Sequence, residues 1–132
     1  MRKRNQIHGF TLIELMIVIS IIMILMSVAA PMYSQSIRRA KEGVLRQDLY
    51  TLRLAIDQYT QDKLRGPQSL DDLVSAGYMR SIPNDPTTGT SETWQVTMED
   101  TLLSIDQTDP GITDVHSGSS ETATDGTLYS EW

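Results

Sequence analysis

The chain has no cysteine, which excludes a disulfide framework, a thiolate metal site and a cysteine nucleophile in any redox compartment. Aromatic residues are few, at 6% with a single phenylalanine. Phe10, Tyr33, Tyr50 and Tyr59 are too widely spaced for electron transfer along stacked rings, and packing explains them better. Positive charge is nearly missing from the second half: residues 66–132 hold twelve acidic side chains against Arg80 alone, a net of −11. That balance disfavours nucleic-acid binding, which needs clustered Lys and Arg. Catalytic signatures are absent as well, with no phosphate-binding glycine loop, no triad and no zinc motif. His116 has no histidine near it in sequence and reads as a structural or surface residue. The acidic pairs Asp71/Asp72 and Glu99/Asp100 fall at a helix start and a hairpin turn, where solvated carboxylates are ordinary. Nothing in this inventory argues for an enzyme.

What the chain does have is one long apolar run. Residues 10–30 read FTLIELMIVISIIMILMSVAA, with Glu14 as the only charge. As a helix this run spans about 30 Å, the thickness of a bilayer core. The remaining residues of the 132 leave room for one small folded domain, which excludes a multi-domain enzyme. A cleaved secretory signal, a plain membrane anchor and a helix that is both anchor and assembly element all fit such a run. Ser27 and Ala29 have the small-residue spacing of a signal-peptidase site, but Pro31 follows closely. Glu14 separates the three. An unpaired carboxylate in hydrocarbon costs about 2.5 kcal/mol or more, so a segment needed only for insertion gains by losing it. Cleavage after Gly9 would create an α-amine on Phe10, one helical turn from Glu14 and able to pair with it in the same chain or a neighbouring one.

A short basic leader (Arg2, Lys3, Arg4), then Gly9, Phe10, Thr11, Leu12, Ile13 and Glu14, then an unbroken apolar run, closely resembles the processing signal of type IV prepilins and type II secretion pseudopilins. The resemblance implies cleavage between Gly9 and Phe10 by a membrane-embedded prepilin peptidase and N-methylation of Phe10. It also implies a role for Glu14 in neutralising a neighbour's terminal amine during assembly. Pro31 stands where this family commonly bends or opens the helix, whereas Met23 takes a position at which members often carry a helix-breaking glycine. The charges flanking the run do not set its orientation, since Arg38, Arg39 and Lys41 answer the basic leader. The resemblance places the N-terminus in the cytoplasm.

Beyond Pro31 the apolar residues Ile37, Val44, Leu45, Leu49, Leu52, Ile56 and Tyr59 recur at threes and fours, the signature of an amphipathic helix. Arg38/Glu42, Glu42/Arg46 and Arg53/Asp57 are spaced for ion pairs on its polar surface. Gly66-Pro67 stops it, so one helix over 10–64 is expected, roughly 80 Å long. Ser69 caps a short second helix with Asp72 three residues on, and Gly77 ends it. Pro83, Pro86 and Gly89 make the following stretch irregular. A strand is expected at 94–98, and weaker ones at 102–105, 112–116 and 127–130. The expected fold is α+β: a long N-terminal helix, half transmembrane and half amphipathic, packed against a small antiparallel sheet in a pilin-like arrangement. Its segments are a leader (1–9), a transmembrane and assembly helix (10–31), its amphipathic continuation (32–65) and a small α/β head with an irregular C-terminal loop (66–132).

Residues 69–94, with the short helix, Tyr78, Ile82-Pro83, Asp85-Pro86 and Trp94, resemble the major pseudopilins of type II secretion. This implies a structural fibre subunit that polymerises with itself and meets minor pseudopilins, the prepilin peptidase and an inner-membrane assembly platform. It further implies an inner-membrane precursor surrounded by lipid, a periplasmic head and no nucleic-acid partner. A major type IV pilin of surface fibres and a monomeric membrane-anchored binding domain are the competing readings. The major pseudopilins close their C-terminal loop around calcium, which implies Asp114, Ser117, Ser119, Glu121 and Asp125 as candidate ligands. Serine stands where the first family aspartate is expected, and Asp125 does not fall cleanly on the second. A solvated polar loop is the alternative.

Overall fold

The computed structural model describes residues 9–99, 105 and 109–132. In chain order they form α1 (Leu12–Lys63), α2 (Leu70–Ser75), β1 (Gln95–Met98), β2 (Ile112–His116) and a single 3-10 turn (Tyr129–Glu131). This is the expected α+β plan of one long N-terminal helix and a small antiparallel sheet. The chain divides into two compact units, Met1–Ile37 and Arg38–Trp132, and α1 contributes to both.

In the first unit, α1 starts where Thr11 can cap it. The Thr11 hydroxyl accepts the Glu14 backbone N–H at 3.2 Å, satisfying one of the free donors of the first turn. Glu14 itself lies in that turn, where a carboxylate is favoured by the helix dipole. The serines that interrupt the apolar run donate back into the helix, Ser20 to the Met16 carbonyl and Ser27 to the Ile24 carbonyl, both at 2.7 Å. Both serine hydroxyls are therefore satisfied within the helix itself. Pro31 lies inside the helix without ending it. Every described residue of this unit is exposed, including Ile13, Ile17, Ile21, Ile24 and Met26.

In the second unit, Leu45, Leu49, Leu52, Ala55, Ile56 and Tyr59 of α1 are buried in one cluster with Leu73, Trp94, Ile112, Val115, Ala123 and Tyr129. The amphipathic reading of these helical positions holds, with two corrections. Ile37 and Val44 are exposed, because at 3.6 residues per turn Val44 falls on the flank of the stripe defined by Leu45, Leu49, Leu52 and Ile56. Glu42 is buried on the core side rather than forming surface pairs with Arg38 and Arg46. The helix ends at Lys63, followed by Leu64 in a left-handed conformation (φ 55°). Gly66 and Gly111 then meet backbone to backbone: a Cβ on Gly111 would stand 2.4 Å from the Gly66 Cα. The Ile112 N–H donates to the Pro67 carbonyl at 2.8 Å beside this crossing.

α2 is built as its sequence suggests. The Asp72 carboxylate accepts the backbone N–H groups of Gln68 (2.9 Å) and Ser69 (3.0 Å). At the other end, Gly77 (φ 83°) lets Tyr78 N–H reach the Leu73 carbonyl at 2.9 Å, a Schellman closure. The irregular stretch after it is pinned by Tyr78, which donates to Asp62 at 2.7 Å, and by the Trp94 indole, which donates to the Pro83 carbonyl at 2.8 Å.

β1 and β2 pair antiparallel, with Val96 opposite Val115 and Met98 opposite Ile112. The register shifts between Thr97 and Met98, leaving Thr113 as an extra residue on β2. That bulge explains why Ile112 and Val115, three apart, both face the core, where strict alternation would separate them. Of the weaker strand expectations, 112–116 is observed. Residues 102–104 of the 102–105 strand, and Asp100 of the acidic pair, lie outside the described residues, and Ile105 is in a turn. The expected strand at 127–130 is instead an isolated bridge, Leu128 to Thr122, running into the 3-10 turn. Gly126 (φ 90°) reverses the chain, and the 3-10 turn from Tyr129 ends the pairing after one bridge.

Candidate functional site

Two regions carry the candidate residues, one in each unit. In the first, Gly9 and Phe10 precede α1 in non-helical backbone, and both are exposed, Phe10 to 83%. A Cβ placed on Gly9 would meet nothing within 4 Å. Glu14 follows in the first turn of the helix. Pro31 sits further along the same helix. The Thr11 cap is a contributor that reading the motif as a processing signal passes over. Its signal is present, because Thr11-Leu12-Ile13-Glu14 has the Thr-x-x-Glu spacing of a capping box. Among the described residues, α1 contains the one stretch long and apolar enough to cross a membrane.

The second region is the loop from Ser117 to the end of the described chain. Glu42 anchors it from α1. Its carboxylate accepts the Thr124 N–H at 2.7 Å, the Thr124 hydroxyl at 2.6 Å and the Tyr129 hydroxyl at 2.9 Å. Burial pushes the Glu42 carboxyl up and Asp125 adds to this, but the donors from Thr124 and Tyr129 outweigh both and hold it below its ordinary value. Burial and the bond to Glu42 push the Tyr129 phenol up, so it remains a donor. Asp85 plays the corresponding part from the irregular connection. It is fully buried and accepts the Ser117 hydroxyl at 2.5 Å, the Thr87 N–H at 2.8 Å and the Thr87 hydroxyl.

Arg53 ties the loop to β2. It donates to Asp114 at 2.6 Å, to the Val115 carbonyl at 2.9 Å and to the Trp132 main-chain oxygen at 2.6 Å. It is therefore paired across the fold with Asp114, not with Asp57 four residues along the helix. Burial would raise the Asp114 carboxyl, but the Val115 N–H and Arg53 hold it down. His116 bonds the same Trp132 oxygen at 2.7 Å and approaches Asp114 at 3.5 Å, the structural role expected of it. The Trp132 ring packs edge-on to Tyr129 at 5.3 Å and lies under the Arg46 guanidinium at 4.3 Å. An open groove of about 380 Å³ lies beside it, lined by Arg46, Leu49, Tyr50, Arg53 and Trp132.

Four of the five candidate calcium ligands are engaged by other groups of the protein. Asp114 is engaged by Arg53, while Asp125 accepts from Thr127 and faces Arg46. Ser117 spends its proton on Asp85 and accepts the Ser119 N–H. The Ser119 hydroxyl accepts the Glu121 N–H, and Glu121 is exposed. Among the described residues, no three acidic or histidine side chains gather as a metal-ligating cluster. Calcium asks for six to eight converging oxygens, and this donor set does not fit it.

Comparison with known proteins agrees with the first region in particular. Residues 4–30 match the prokaryotic N-terminal methylation motif. The type II secretion system core protein G of Aeromonas hydrophila is 35% identical over 102 residues, covering 65% of this chain and 71% of that protein. The chain belongs to the core protein G family. Family members of the same name from Klebsiella pneumoniae (36% identical, 60% of this chain and 68% of that one) and Escherichia coli K12 (32%, 65% and 70%) are similarly related. A probable minor fimbrial protein of Dichelobacter nodosus is 42% identical over 58 residues, which is 44% of this chain and 36% of that protein. No solved structure gives a significant match. The core protein G relatives are structural pseudopilins, and the single apolar N-terminal helix with its prepilin motif fits a membrane-anchored member of the family.

Proposed function

We propose that this protein is a structural subunit of a type II secretion pseudopilus, assembled through its N-terminal helix to support protein export. One observation carries the reading: a methylation motif at 4–30 in a chain that matches core protein G over most of that protein's length. Before assembly the subunit sits in the bacterial inner membrane as a single-pass protein, its C-terminal domain in the periplasm. Prepilin peptidase hydrolyses the exposed Gly9–Phe10 bond and the new Phe10 amine is methylated. Minor pseudopilins and the inner-membrane assembly platform are its further partners, and its work is packing rather than catalysis.

The physics of assembly gives Glu14 its role. Moving an apolar helix from lipid into a helix bundle gains little hydrophobic free energy, because lipid tails are as apolar as Leu and Ile. Packing and polar pairing must then supply specificity. A Glu14 carboxylate paired with a neighbour's Phe10 amine removes the cost of an isolated charge and fixes register by one helical turn. Intact-mass and peptide mass spectrometry of the membrane-extracted protein test this. The expected N-terminus is Phe10 bearing one methyl group. A mature chain that still begins at Met1, or that begins near Ala30, overturns the reading.

A further inference from the structure

We infer that the C-terminal loop of this chain is closed by hydrogen bonds onto two buried carboxylates, Glu42 and Asp85, and that its folded state contains no calcium. This stands apart from the secretion reading, since it concerns how the head is held together whatever fibre it enters.

A divalent cation closes a loop by joining acceptor to acceptor, carboxylate and carbonyl oxygens that would otherwise repel. Here the two sides are already complementary. The scaffold presents acceptors, Glu42 on α1 and Asp85 on the connection before β1, at 7% and 0% exposure. The loop presents donors to them, the Thr124 N–H and hydroxyl, the Tyr129 hydroxyl and the Ser117 hydroxyl. Thr87 completes the shell of Asp85 from its own turn. Buried carboxylates are tolerated when each oxygen is hydrogen-bonded, and both are.

The positions where a cation would bind are also occupied by charge from the protein. Asp114 holds the Arg53 guanidinium at 2.6 Å, and Asp125 faces Arg46 at 3.4 Å. Ser117 and Ser119 each accept a backbone N–H two residues on, so their lone pairs stitch the loop to itself. Gly118 packs so tightly on Thr93 that a Cβ there would lie 1.9 Å from the Thr93 carbonyl oxygen. Binding calcium would require breaking several of these bonds at once.

The experiment is thermal unfolding of the full chain in detergent micelles, followed by tryptophan fluorescence. Trp132 packs edge-on against Tyr129 in the loop and Trp94 lies in the core, so the signal follows both. Midpoints are compared in EDTA, in calcium chloride and in magnesium chloride at the same ionic strength. A site filled at a hundredfold excess over its dissociation constant would raise the midpoint by roughly 10 °C or more. The expected result is the same midpoint in all three solutions, together with a fall of roughly 5 °C or more in Glu42→Gln and in Ser117→Ala that calcium does not restore. If Glu42→Gln fails to fold, Thr124→Val removes one donor and keeps the carboxylate, and the same fall and the same indifference to calcium are expected. A calcium-specific rise in the parent chain overturns the inference, and so does a set of variants whose midpoints match the parent.

Discussion

Replacing Arg53 with alanine should destabilise the head although the side chain is only partly buried. The side chain, 37% exposed, makes three bonds that no neighbour can replace, to Asp114, to the Val115 carbonyl and to the Trp132 main-chain oxygen. Charge-assisted bonds contribute about 1.5–3 kcal/mol each when buried, but exposed ion pairs contribute only about 0–1 kcal/mol. Discounting for solvent gives a total of about 2–3 kcal/mol. For a unit of this size that loss lowers the melting midpoint by about 10–20 °C. Arg53→Lys keeps the charge but reaches only one or two of the three acceptors, so about half the loss is expected. Fluorescence melts of the full chain in detergent, with urea titration as a second measure, provide the numbers. Part of the loss should survive at high salt, because the Val115 carbonyl is a neutral acceptor that salt does not screen. A shift in Arg53→Ala smaller than about 3 °C, or one abolished by salt, would refute the reasoning.

Other consequences follow from the packing, from titration and from assembly. Gly111→Ala should destabilise the head by about 2 kcal/mol or more, since its Cβ would overlap the Gly66 backbone, whereas Gly43→Ala, with open space around it in α1, should stabilise by about 0.5–1 kcal/mol; denaturant midpoints decide both. Glu42 and Asp114 have folded pKa values held below their ordinary 4.5 and 3.8, so their contribution is present above those values and lost as pH falls through the folded ones. Asp48, raised by burial and by Asp85, works in the opposite sense, so acid unfolding should begin below about pH 4.5 and be blunted rather than steep, and a midpoint that rises on acidification contradicts the assignment. Glu14→Ala should still be processed at Gly9 but should lose ordered cross-links between neighbouring helices, and normal cross-linking of the processed variant removes the registry role.

Much of the head is legible from local pattern because local chemistry decides it. The spacing of Leu45, Leu49, Leu52, Ile56 and Tyr59 needs only the helical period. The start of α2 needs Ser69 and Asp72, its end needs Gly77, and all three act within one turn of the chain. Glu42 is different. Its neighbours at four residues' distance, Arg38 and Arg46, suggest a surface pair, yet its partners lie 82 and 87 residues away, in a turn and at the start of the 3-10 turn. No periodicity encodes that meeting. The bulge at Thr113 is equally silent, since it arises from how β2 must bend to bury both Ile112 and Val115. For the calcium loop, family resemblance supplies a ligand list, but the partners that claim those side chains, Arg53, Asp85 and Arg46, become visible only in three dimensions.

The division of labour between the two units bears on how such a subunit could leave the membrane. The first unit has no buried residue among those described, so it has no fold to protect and depends on its surroundings, lipid or neighbouring helices, to cover its side chains. The second buries a hydrophobic cluster to which α1 contributes from Leu45 onward, with Glu42 buried beside it. Among the described residues, none of that cluster comes from the apolar run. Every residue of that cluster lies between Leu45 and Tyr129, outside residues 10–30. The C-terminal loop is held to the head by the same kind of internal pairing, its donors meeting the Glu42 and Asp85 carboxylates.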